Sequence, residues 1–207
     1  MRHGQTLWNA THRWQGWADV DLDEIGVRQA EHAAVALATL LDGTALRLVS
    51  SDLLRARHTA EILGAAVGCA VSEVVPGLRE RNVGEWSGKT TSEIEATWPG
   101  QLDAWRHGAL PMIPGGESEA TLSERINAAI RRLCWEAADV GETIVAVTHG
   151  GVIRTLTRQH GIQPRPVPNL GATWFGWTGS TSTHVGELDL LDGSDLSGSG
   201  SQVGTTL

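Results

Sequence analysis

Thr143-Ile-Val-Ala-Val-Thr148 is an unbroken apolar run of strand length, and it passes through His149-Gly-Gly151 into a helical pattern reaching about His160. A run without polar alternation suits a strand covered on both faces, as in the parallel sheets of α/β proteins. On its N-terminal side, Leu122, Ile126, Ala129, Ile130, Leu133 and Ala137 keep helical spacing up to Gly141, one apolar stripe able to pack on such a sheet. Further back the alternation repeats. Asp23 is placed to cap a helix carrying Val27, Ala30, Ala34, Leu37 and Leu41. Leu46–Ser50 then reads as strand, about Leu53–Val67 as helix stopping at Gly68, and Val71–Val75 as strand ended by Pro76-Gly77. Thr90 and Glu93 form a capping box for a short helix ahead of Pro99. Strands alternating with helices predict an α/β fold, a three-layer α/β/α sandwich around a mostly parallel central sheet. Residues 169–191 read as two more strands around a turn near Gly179, and residues 5–22 as a long loop. The Gly-, Ser- and Thr-rich stretch 193–207 reads as a disordered tail, leaving 1–192 as a single domain.

Composition narrows the function. The chain has 207 residues and a formal net charge of −8, which argues against bulk binding to nucleic acid or an anionic membrane. Its apolar stretches are far shorter than the ~20 residues that span a bilayer, and no signal-peptide pattern opens the sequence. A soluble, cytoplasmic protein is the expectation. Two cysteines, Cys69 and Cys134, offer neither a disulfide framework nor metal-ligand spacing. Nine Trp stand beside one Phe and no Tyr, so no phenol is available as an acid. The Trp positions are scattered and read as packing residues, with Trp14 and Trp17 nearest the candidate site.

In open α/β sheets, ligands bind beyond the carboxyl ends of the strands. His149 follows one predicted strand directly, Arg55 sits in the first helical turn after another, Glu80 lies just past a third, and Arg2-His3 precedes the first loop. Two guanidiniums, two imidazoles and a carboxylate form a set suited to an oxyanion, most simply a phosphoryl group. Helix N-termini after Gly150 and Ser51 would add backbone N–H donors. Each residue alone has an ordinary reading: Arg55 as a solvated surface residue, Glu80 as a loop ion-pair partner, His149 as a helix cap. His12 and His58 are the other histidines able to lie at the rim.

In combination the pattern is specific. Arg2-His-Gly-Gln-Thr-Leu-Trp-Asn9 resembles the signature of the histidine phosphatase, or phosphoglycerate-mutase-like, superfamily. The resemblance continues through Arg13–Asp19, Ser50–Arg57, Leu78–Gly88, Pro114–Ser118 and Thr148–Arg154, in the family's order. It implies a phosphoglycerate-mutase-like fold with no cofactor and no metal. His3 would be the nucleophile that becomes a phosphohistidine. Arg2, Asn9, Arg55, His149 and Gly150 would hold the phosphoryl oxygens, with arginines and an imidazolium neutralising their charge. Glu80 would protonate the leaving alkoxide, with Glu117 the next carboxylate to consider and Glu85 read as a solvent-facing charge. Family members carry a strand that ends at the Arg-His pair, and here only Met1 precedes it. The first strand is therefore expected to be truncated, with about 5–8 strand residues upstream; were Met1 the true start, Arg2 and His3 would lose their backbone anchor.

Arg81-Asn-Val-Gly-Glu-Trp-Ser-Gly88, following Glu80, looks like the phosphatase branch, and the pattern is similar to glucosyl-3-phosphoglycerate phosphatases and broad-specificity sugar-phosphate phosphatases. Hydrolysis of a small phosphorylated metabolite is the first expectation. A diphosphoglycerate-primed mutase and a non-catalytic phospho-ligand binder are the alternatives, and a homodimer is left open.

Overall fold

A computed structural model describes residues 1–178 and 181–191. The expected turn at Gly179 and the tail 193–207 lie outside the described residues. In chain order the elements are α1 (Leu7–Ala10), α2 (Glu24–Leu40), β1 (Leu46–Ser50), α3 (Leu54–Val67), β2 (Val71–Val74), α4 (Thr91–Thr97), α5 (Gln101–Arg106), α6 (Glu119–Ala138), β3 (Thr143–Val147), α7 (Gly150–Gln159), β4 (Gly171–Thr178) and β5 (Thr181–Asp189). Short 3₁₀ turns at Pro76–Leu78 and Gly84–Trp86 interrupt the path from β2 to α4.

The central sheet has the order β2-β1-β3 and all its strands are parallel. Parallel neighbours need crossover connections, which α3 supplies between β1 and β2. Consecutive side chains of β1 then face opposite layers. Leu48 packs with Ala33, Ala34 and Leu37 of α2 and Ala56, Ala60 and Leu63 of α3. Val49 packs with Ala129 and Leu133 of α6 on the other face. Leu122 and Ile126 of α6 meet Val152 of α7, which completes the second helical layer. The α/β/α sandwich expected from the sequence is thus present, with β4 and β5 forming a separate antiparallel pair.

Residues 1–3 run between these two sheets. His3 N donates to Thr148 O (3.0 Å) and Thr148 N to Met1 O (2.8 Å). Arg2 N donates to Gly171 O (2.9 Å) and accepts through its carbonyl from Leu170 N (3.1 Å). Arg2 and His3 therefore have a backbone anchor, the segment being held on one side by Thr148, through Met1 and His3, and on the other by Leu170 and Gly171, through Arg2.

Two short helices escaped the sequence reading. α1 lies inside the expected loop 5–22 and is fixed by a capping box between Thr6 and Asn9. α5 lies in the connector after Pro99. That connector folds over a satellite core in which Trp86, fully buried, meets Trp14 and Trp105 edge to face at 5.5 and 5.8 Å. Such tilted pairings are the favoured aromatic geometry.

Candidate active site

β1 and β3 both end at the same edge of the sheet, so the residues that follow them converge. The Arg2-His3 segment is hydrogen-bonded beside Thr148, one residue before His149. Arg55 stands in the first turn of α3 and reaches back under the loop of residues 16–18. Arg2, His3, Asn9, Arg55, Glu80 and Gly150 all line one cavity of about 810 Å³. His149 is fully buried beside it, its ring centroid 5.2 Å from that of His3. All seven residues singled out in the sequence therefore come together.

His3 is 3 % exposed and its tautomer is set by its neighbours. Nδ1–H donates to Gly4 O (2.7 Å), since a carbonyl can only accept. That leaves the Nε2 lone pair, which faces the Arg55 Nε–H at 3.2 Å. Burial, and then the charges of Arg55 and Arg2, push the His3 pKa well below the usual imidazole value. His149 is held low first by burial and then by Arg55. Both rings are neutral at pH 7, so the imidazolium expected at His149 is a neutral imidazole here, bonded through Nε2 to Ser51 Oγ (2.9 Å). A neutral His3 is what a nitrogen nucleophile requires, because a protonated Nε2 has no lone pair to offer.

Arg55 is fully buried, and burial lowers its pKa to about 10. It remains a cation at neutral pH. Nη1 and Nη2 donate to Ala18 O and Gly16 O, each at 2.8 Å, so the same guanidinium that faces His3 also fastens the loop over the cavity. Arg2 donates to Val167 O (2.6 Å). Asn9 Oδ1 accepts from Thr6 N (3.1 Å) in the capping box, which leaves its amide N–H₂ as the group free to meet an oxyanion.

Burial lowers the pKa of Arg2 as it does that of Arg55, and the charge of nearby Glu80 offsets part of the lowering in each. Its Oε2 accepts from Gly151 N (3.0 Å) and its Oε1 from Arg81 N (2.7 Å). The second N–H of α7, assigned in the sequence to a bound anion, thus orients the carboxylate instead. Gly151 has to be glycine for this contact, because a Cβ there would overlap Glu80 Oε1. The backbone of the Glu80 loop is clamped as well. Arg125 donates to Gly77 O, Arg79 O and Glu80 O, at 2.8–3.0 Å, and its Nε and Nη2 grip both oxygens of the buried Glu117.

A family model described as the histidine phosphatase superfamily (branch 1) matches residues 1–183. The chain is 39 % identical over 191 residues to a glucosyl-3-phosphoglycerate phosphatase of Mycolicibacterium vanbaalenii, covering 87 % of this chain and 83 % of that one. It belongs to the histidine phosphatase superfamily. A 2,3-bisphosphoglycerate-dependent phosphoglycerate mutase of Methylocella silvestris is 32 % identical over 177 residues, covering 82 % of this chain and 84 % of that one. The solved structure of a mycobacterial glucosyl-3-phosphoglycerate phosphatase in complex with VO3 superposes with a TM-score of 0.73 at 32 % identity, over 89 % of this chain and 93 % of that one.

Within this histidine phosphatase, Trp14 lines the cavity and Trp17 does not. Trp17 instead stacks under Arg79 (4.9 Å) and donates through Nε1 to Glu80 O (2.7 Å), another brace on the same loop. His12 and His58 do not line the cavity, and His58 pairs with Asp21. Glu85 is exposed, as expected, and Glu117 is committed to Arg125. No group of three or more His, Cys, Asp or Glu among the described residues is arranged to hold a metal ion. No helix among them is long and apolar enough to cross a membrane. The Ser51 hydroxyl and Arg125 are groups the sequence reading missed, and the Gly151 N–H is one to which it gave another role. Ser51 sat inside a matching block, but its bond to His149 joins residues far apart in the chain.

Proposed function

We propose that residues 1–192 form a metal-independent phosphatase that hydrolyses phosphomonoesters of small cytoplasmic metabolites through a phosphohistidine at His3. The observation that carries the reading is the neutral, buried His3, its Nε2 lone pair turned to a guanidinium at the floor of a cavity that also holds Glu80. Phosphatase-named relatives at 39 % identity support hydrolysis.

In the first step the His3 Nε2 lone pair attacks phosphorus and the P–O bond to the alcohol breaks. The Arg55 Nε–H that faces Nε2 turns to a phosphoryl oxygen, joined by Arg2, the Asn9 amide and the neighbourhood of His149 and Gly150. Donors held in place before charge develops are the largest source of such stabilisation. Glu80, protonated, gives its proton to the departing alkoxide. In the second step Glu80 takes a proton from water as that water attacks phosphorus, the P–N bond breaks, and inorganic phosphate leaves with His3 neutral again. Charge neutralisation by Arg2 and Arg55 takes the part a metal ion has in other phosphatases. All these groups come from one chain, so the reading does not depend on a homodimer.

The test is a panel of phosphorylated metabolites, read as released phosphate, with chelator in excess and with and without 2,3-bisphosphoglycerate. Phosphate release unaffected by chelator supports the reading. Conversion of 3-phosphoglycerate to 2-phosphoglycerate that requires the bisphosphate, with little phosphate released, would assign a mutase.

A further inference from the structure

Trp17 is 40 % exposed and stands outside the cavity lining, so its value to the site lies in what it holds. From one side it is tied to the phosphoryl site. Arg55, whose Nε faces His3 Nε2 at 3.2 Å, donates to the carbonyls of Gly16 and Ala18, the residues on either side of Trp17. On the other side the indole Nε1 donates to Glu80 O at 2.7 Å. The guanidiniums of Arg79 and Arg125 lie 4.9 and 6.0 Å from the ring centroid and keep the indole in place. Glu80 O is one end of a peptide unit whose other end is the Arg81 N–H, and that N–H donates to Glu80 Oε1 at 2.7 Å. The unit is trans, hence planar, with its C=O and N–H pointing opposite ways. A donor that fixes the carbonyl therefore aims the N–H, and the N–H holds the carboxyl oxygen.

Resting on the phosphatase reading, we propose that Trp17 is a positioning residue for the acid: through the Glu80–Arg81 peptide plane it keeps the Glu80 carboxyl in register with the phosphoryl group gripped by Arg55. Arg125 Nη2 holds the same carbonyl at 2.8 Å, but from α6, and so fixes it to the scaffold. Trp17 holds it from the loop that Arg55 carries. It is therefore the contact that relates the acid to the reacting group. Proton transfer needs donor and acceptor within hydrogen-bond reach in the transition state, and a small misplacement there is costly. Loss of the indole N–H should fall on the proton delivered to the leaving group and spare the grip on the phosphoryl oxygens.

The experiment is Trp17→Phe, which keeps an aromatic ring beside Arg79 and removes the N–H. The substrates are phenyl phosphate and p-nitrophenyl phosphate, close in shape, of which only the first has a leaving group in need of a proton. In kcat/KM, which reports the step that forms the phosphohistidine, phenyl phosphate should lose about 3–10-fold, the range of one neutral hydrogen bond. p-Nitrophenyl phosphate should lose less than about twofold, and the inhibition constant of inorganic phosphate should stay within about twofold of the wild-type value. A loss equal on both esters would overturn the proposal and make Trp17 a prop for the fold, to be seen as well in urea unfolding. No loss on either ester, or weaker inhibition by phosphate, would overturn it too. If the wild-type chain releases phosphate from neither ester and from none of the metabolite panel, the phosphatase reading fails and this inference falls with it. A wild-type chain that turns over, with an even loss in Trp17→Phe, removes the inference alone.

Discussion

The floor and the outer wall of the cavity are built by opposite rules. At the floor, His3 and Arg55 are buried, and the groups proposed to act have fixed partners: Gly4 O for the His3 imidazole, Gly16 O and Ala18 O for the guanidinium, the Gly151 N–H for Glu80. At the wall, Arg154 and Arg158 are exposed side chains on one helix, sharing one carboxylate with Arg81 or none. Burial makes the floor rigid and sets its protonation states. Exposure leaves the wall adjustable, because surface ion pairs are worth little and can be exchanged at small cost. The groups proposed to carry out the transfer all lie in the first region.

The comparison breaks most visibly at His3. His3→Asn keeps a side chain of similar size but has no nucleophilic nitrogen, and activity on every ester should fall by at least about 10⁴-fold. Phosphate analogues should still bind. Wild-type chain quenched in acid after brief contact with labelled substrate should lose its label rapidly, as a phosphoramidate does. An acid-stable label, or an active His3→Asn variant, would remove His3 from the reaction.

Glu80 sharpens the picture by leaving group. Glu80→Gln retains the Gly151 contact but cannot donate the proton, so an alkyl phosphate should lose about 10²–10⁴-fold. Nitrophenolate leaves without help, so p-nitrophenyl phosphate should lose far less, with a burst if hydrolysis of the phosphohistidine becomes slow. An equal loss on both esters would reduce Glu80 to a structural part.

The smallest effect concerns stability against pH. His3 and His149 have folded pKa values below the unfolded value near 6.5. The unfolded chain therefore binds more protons as pH drops below that value, and stability present above pH 6.5 is lost on acidification. Each ring contributes a slope of up to about 1.4 kcal/mol per pH unit. Urea unfolding at pH 7.5, 6.5 and 5.5 should show a shallower dependence in His149→Gln than in the wild-type chain. Identical slopes would mean that His149 is not held neutral by the fold.

Most of the fold was legible because long elements repeat their signal. The stripe Leu122–Ala137, the run Thr143–Val147 and the caps at Asp23 and Thr90 each state their element several times over. α1 was not legible, since four residues cannot display a helical period, and its Thr6–Asn9 capping box uses Asn where Glu or Gln is the usual sign. The site was legible as a set of residue types at strand ends, and all of them converge. What each one does to its neighbours was hidden. The charge of His149 depends on burial and on Arg55, and the hold of Arg125 on Glu117 and the Glu80 loop joins segments that no local pattern links. Trp14 and Trp17 carry the same chemistry three positions apart, and only the packed structure separates the cavity wall from the loop brace.

Gly151 turns that packing into a constraint on how the protein can be improved. A glycine inside a helix is destabilising by roughly 0.5–1 kcal/mol relative to alanine, and replacing such glycines is a standard route to a more heat-resistant enzyme. At this position the added methyl would displace the carboxylate of Glu80. An engineer who gained the helix there would lose the acid proposed for the reaction, so on that reading α7 stays weaker than its sequence could make it for as long as the chain is to turn over substrate.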